Sequence, residues 1–138
     1  MEHFPERLKS ARKMRGYSLR GLAEAMEDSL SKQSLQKYEA GKMKPDNKTL
    51  IKLCEVLQLP QDYFTRETKV NFDKISFRKL DKLPKRTQCK IEEQTRDFLE
   101  RYLELEELMG QKPDFVNPIK NFTIQNKSAI EEAASKIR

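Results

Sequence analysis

Apolar positions along residues 4–64 recur in steps of three and four, broken every ten residues or so by Gly, Pro or short polar runs. Phe4, Leu8, Ala11 and Met14 share one helical face, with Pro5 in the first turn and Gly16 after the last. Ser18 then precedes a second such segment, in which Leu19, Leu22, Ala23 and Met26 line up. After the turn EDSL, Ser31 can cap a third helix, SKQSLQKYEA, that stops at Gly41. Asp46 or Asn47 can cap a fourth, with Leu50, Ile51, Leu53, Cys54 and Leu57 as its apolar stripe. Pro60 ends it, and PQDYF suits a short fifth helix. The connections are short, so these helices must pack on one another.

The second half has a different rhythm. Val70, Phe72, Ile75 and Phe77 suit extended chain or a short strand. Pro84 opens a long helix that runs to Gly110, with Ile91, Phe98, Leu99, Tyr102, Leu103, Leu105, Leu108 and Met109 as a wide apolar stripe. Such a stripe must be covered by the N-terminal helices, another chain or a further domain. Ser128 to Glu131 reads as a capping box, followed by Ile130, Ala133, Ala134 and Ile137 at core-facing spacing. That open face suggests a further domain beyond Arg138. The expectation is an all-α chain divided into residues 1–66, a linker or short strand over 67–83, a long helix over 84–110 and a tail over 111–138.

Composition narrows the function. The chain has 138 residues, 36% hydrophobic and 36% charged, which is too polar for one core to fill it. Its two cysteines make neither a disulfide framework nor a zinc site, and suggest a reduced, cytoplasmic setting. Nothing is apolar for long enough to span a membrane, and no secretory signal opens the chain. The single histidine, His3, leaves no catalytic triad or zinc site, and no phosphate-binding glycine motif occurs. The chain is expected not to be an enzyme and to need no cofactor or metal.

Charge is uneven. Residues 65–90 carry nine Lys/Arg against three Asp/Glu, whereas residues 91–110 carry two against seven. The basic block could meet phosphate while the acidic helix faces solvent or protein. In the third helix, Leu35 and Tyr38 form the apolar side, and Lys32, Gln33, Gln36 and Lys37 the other. Long donors in the first turns of a helix can reach base edges and phosphates of a duplex. A polar surface helix that binds nothing has the same pattern.

The stretches ERLKSARKMRGYSLRGLAEAM, SKQSLQKYEAGKMKP and TLIKLCEVLQLPQDYF together resemble the Xre (Cro/cI-type) helix-turn-helix family. The shared features are Arg12, the pair Leu22-Ala23, Glu39 with Gly41, and Tyr63-Phe64. The resemblance implies a sequence-specific transcriptional regulator, a repressor in type, that reads double-stranded DNA with its third helix. Lys32, Gln33, Ser34, Gln36 and Lys37 would face the major groove, beside Ser31, Lys42 and Lys44, with Ser18 and Arg20 at the second helix. It also implies an Arg12–Glu39 ion pair. Two features depart from the family: EDSL is about two residues longer than the usual turn, and Leu19 replaces a common phosphate-contacting residue.

A homodimer on a palindromic operator is expected, with Ile91, Phe98, Leu99, Tyr102 and Leu105 as its interface. The segment FRKLDKLPKRTQCKIEEQTRDFLERYLELEELMG resembles the connector of Xre proteins that continue into an ImmA/IrrE-type metallopeptidase domain. Two alternatives therefore stand beside the regulator. One is the DNA-binding and docking portion of a larger peptidase regulator. The other is an antitoxin-like protein-interaction module.

Overall fold

The computed structural model describes residues 2–27, 29–72, 83–110 and 126–137. These contain six α-helices and no strand. They are α1 (Phe4–Met14), α2 (Leu19–Ala25), α3 (Lys32–Glu39), α4 (Asn47–Leu57), α5 (Lys85–Leu108) and α6 (Lys127–Ile137). A 3₁₀ turn over Gln61–Phe64 stands where a fifth short helix was expected. Val70 and Phe72 lie outside any strand, and Ile75 and Phe77 fall outside the described residues.

Each early helix starts where its cap dictates. The Ser18 hydroxyl accepts from the Gly21 N–H, Ser31 from Ser34, and the Asp46 carboxylate from Thr49. This last bond holds the Asp46 carboxyl below its ordinary pKa. Between α1 and α2 the chain turns through Gly16 at φ 75°, and after α3 through Gly41 at φ 69°. Arg15 closes α4 from across the fold: its guanidinium donates to the Leu57 carbonyl at 2.6 Å and the Gln58 carbonyl at 2.8 Å. Those are carbonyls that a helix C-terminus leaves without intrahelical partners.

The core is aliphatic at its centre, with Leu8, Leu22, Leu35, Leu50, Leu53 and Leu57 fully buried. Phe4 joins it to an aromatic group, with ring centres 6.3 Å from Tyr38 and 5.7 Å from Phe64. α3 lies against both α1 and α2, and the 3₁₀ turn lies against α1 and α4. Ile51, expected in the α4 stripe, is instead exposed, because Leu50, Leu53 and Leu57 alone face inward.

Residues up to Leu105 form one compact unit and residues from Glu106 a second. In the first, α5 runs antiparallel to α1 but contributes no residue to the hydrophobic core. Polar contacts hold it. Arg7 donates to Glu100 at 2.6 Å, Lys13 lies 3.6 Å from Glu93, and Arg86 donates to the Gly16 carbonyl at 2.5 Å. In the second unit α6 is capped by Asn126, whose side chain accepts from the Ala129 N–H at 2.9 Å. The expected capping box at Ser128 is not the one used, because Asn126 reaches that N–H from one turn earlier. Of the face expected to be buried on α6, Ala133 is buried while Ile130 and Ala134 are exposed.

Candidate nucleic-acid interface

α3 is eight residues long and divides cleanly. Leu35 and Tyr38 enter the core, while Lys32, Gln33, Gln36 and Lys37 are exposed. The apolar pair leaves one outward orientation for the long donors, all within two turns of the capped start. Ser31 and Ser34 are bonded to each other, hydroxyl to hydroxyl at 3.0 Å, in addition to the cap. Ser34 is half-buried, and its hydroxyl is already used in the cap.

The position of α3 is set by a bidentate ion pair. Arg12 Nε donates to Glu39 Oε1 at 2.6 Å and Nη2 to Oε2 at 2.8 Å, while Nη1 donates to the Tyr17 carbonyl at 3.0 Å. One guanidinium thus ties the last turn of α3 to α1 and to the α1–α2 turn. Paired forks of this kind restrict orientation as well as distance. The turn between α2 and α3 spans Met26 to Ser31, with Glu27 left-handed at φ 54° and bonded to Lys52 of α4 at 2.8 Å.

Lys42 and Lys44 are exposed in the loop after α3. This loop must pass close to α1: a Cβ on Gly41 would stand 3.5 Å from Pro5. At α2, Ser18 serves as the cap, and Arg20 is exposed and paired with Glu24 one turn on, at 2.9 Å. Leu19 packs against the core. The sequence-derived positions therefore divide. Lys32, Gln33, Gln36, Lys37, Lys42 and Lys44 offer exposed donors, while Ser18, Ser31 and Ser34 use their hydroxyls to build helix starts.

Arg7 was not among the candidates, yet it organises the joint to α5. Its side chain is 4% exposed. It donates to the Arg66 carbonyl at 3.0 Å and the Glu67 carbonyl at 2.5 Å, and its guanidinium carbon lies 5.1 Å from the Tyr63 ring centre. Burial raises the Tyr63 pKa, with Arg7 opposing the shift. One signal was available: Arg7 falls between Phe4 and Ala11 on the apolar face of α1, where a solvated arginine has no place.

On α5 itself, Phe98, Tyr102, Leu105 and Leu108 are exposed, whereas Ile91 and Leu99 are half-buried. Among the described residues no helix is long and apolar enough to cross a membrane, and no His/Cys/Asp/Glu group could hold a metal ion.

Residues 8–64 match the family described as helix-turn-helix. Over 70 residues the chain is 40% identical to the SPbeta prophage-derived uncharacterized HTH-type transcriptional regulator YonR of Bacillus subtilis (strain 168). That alignment covers 51% of this chain and 63% of the relative, so the chain spans under two thirds of that protein. No solved structure matches it.

Proposed function

We propose that this chain, whose first five helical elements form a helix-turn-helix domain, is a sequence-specific DNA-binding transcriptional regulator. One observation carries the reading. Four long hydrogen-bonding side chains leave a single face of α3, while Leu35, Tyr38 and the Arg12–Glu39 pair hold its opposite side rigidly. In this motif the second helix enters the major groove and the first crosses the backbone. α3 is that second helix, and α2 the first. Gln33 and Gln36 can pair with adenine, and Lys32 and Lys37 can reach guanine or phosphate. Lys42 and Lys44 continue the positive surface beyond the helix.

The relative is named a transcriptional regulator, which supports the same role here. A single domain of this size reads few base pairs, so two copies on a palindromic operator complete the reading, in the cytoplasm and in the manner of a repressor.

Selection of bound sequences from a random duplex library tests it. A motif with two-fold symmetry should emerge. Gln33→Ala should lose about 1–3 kcal/mol on the preferred site and relax the motif at one position. An unchanged motif at equal affinity would show that α3 does not read bases.

A further inference from the structure

α5 carries two rows of residues with the same spacing and opposite chemistry. Arg86, Lys90, Glu93, Asp97, Glu100 and Glu104 alternate in steps of four and three. This row faces the N-terminal helices: Arg86 bonds Gly16, Glu93 pairs with Lys13, Glu100 with Arg7, and Glu104 with Arg66. Ile91, Thr95, Phe98, Tyr102, Leu105 and Met109 form the second row, in the same alternation, five residues later. Five residues place it about 140° further round the helix. The second row therefore points away from the DNA-binding domain, and Phe98 is 67%, Tyr102 49% and Leu105 53% exposed.

We infer that this outer row is the seam of a parallel two-stranded coiled coil between two copies of the chain. A step of four and three is a 3.5-residue repeat, the period that keeps one stripe facing a partner helix along a supercoil. Ile91, Phe98 and Leu105 then occupy one core position of the heptad, and Thr95, Tyr102 and Met109 the other.

The flanking charges select both the partner and the direction. In a parallel pair, each residue before a Thr95-type position faces the residue five further on in the other strand. Arg101 thereby meets Glu106 of the second copy, and Gln94 meets Leu99. An antiparallel pair centred on Leu99 sets Glu92 against Glu106, like against like. The helix is thus complementary to itself in one direction only.

The N-terminal domains sit on the face opposite the seam, so two copies can close without displacing either domain. A parallel coil has its two-fold axis along its length, which is the symmetry a palindromic site requires. The inference rests on the DNA-binding reading only in that last respect. Fewer than three full heptads and a polar Thr95 in the core make the pair weak. Two half-sites on one duplex should strengthen it by raising the effective concentration.

Cysteine cross-linking of the full chain, with Cys54→Ser and Cys89→Ser in the background, tests the seam. Leu105→Cys faces its own copy in a parallel coil, so mild oxidation should give a disulfide-linked dimer. Glu107→Cys, on the outside, should give little. Arg101→Glu and Glu106→Arg should each weaken the dimer in sedimentation, and the double variant should restore it. Phe98→Asp should abolish preference for paired half-sites while a single half-site still binds. A chain that stays monomeric on paired half-sites, or that cross-links equally at both cysteine positions, overturns the inference. Cross-linking at Leu105→Cys without any DNA binding would uphold the seam and remove the regulator reading instead.

Discussion

Arg12 and Glu39 show how one pair can hold a reading head in place. Their side chains are 12% and 10% exposed, so both charges have lost most of their water. Such a pair adds little net stability over an apolar replacement, but breaking it leaves a charge without compensation. Glu39→Gln should therefore cost about 3 kcal/mol, read as a lowered midpoint in urea denaturation. The double variant Arg12→Met/Glu39→Leu should recover much of that loss and yet bind DNA less selectively, because nothing then orients α3. A Glu39→Gln protein as stable as the wild type would mean that the fork contributes no constraint.

Among the elements, α5 is the one whose charges oppose its own dipole. Lys85, Arg86 and Lys90 lie near its start, and Glu104, Glu106 and Glu107 near its end. This is the reverse of what stabilises an isolated helix. The charges suit its neighbour instead: the acidic part meets Arg7 and Arg66, and the basic start meets the Gly16 carbonyl. Glu100 holds the centre of the joint, accepting from Arg7 and from the Lys69 N–H at 3.1 Å. Glu100→Gln should loosen the helix without unfolding the domain. Amides of residues 85–105 should then exchange faster, while those of Leu50 to Leu57 in α4 keep their protection. Uniformly faster exchange in both would mean that α5 and the domain unfold as one.

For the whole molecule, the formal net charge of +6 is less informative than its placement. The acidic row of α5 is spent on the joint to the N-terminal helices, and the lysines around α3 stay exposed. Binding to duplex DNA should accordingly fall steeply with salt as counterions are released. Lys42→Ala should weaken all sequences alike and lower the salt slope by about one, in contrast to the site-dependent effect of Gln33→Ala. Titrations of specific and random duplex across a salt series distinguish the two. A Lys42→Ala loss confined to the preferred site would place that lysine on a base rather than a phosphate.

The amino-acid sequence by itself determined the helices of the first unit, their caps at Ser18, Ser31 and Asp46, and the outward face of α3. These follow from local rules: a cap bonds within its own turn, and two core residues on a short helix leave one side for the rest. It also marked the apolar stripe of α5, but not which way that stripe would point. Only tertiary structure decided that, because the stripe competes with a charged row of the same period. The charged row won the place beside α1, since Arg7 and Lys13 supply partners there for Glu100 and Glu93. The roles of Arg7 and Arg15 were likewise hidden. Their acceptors lie 59 and 42 residues away in sequence, and no periodicity connects positions that meet only when the chain has folded.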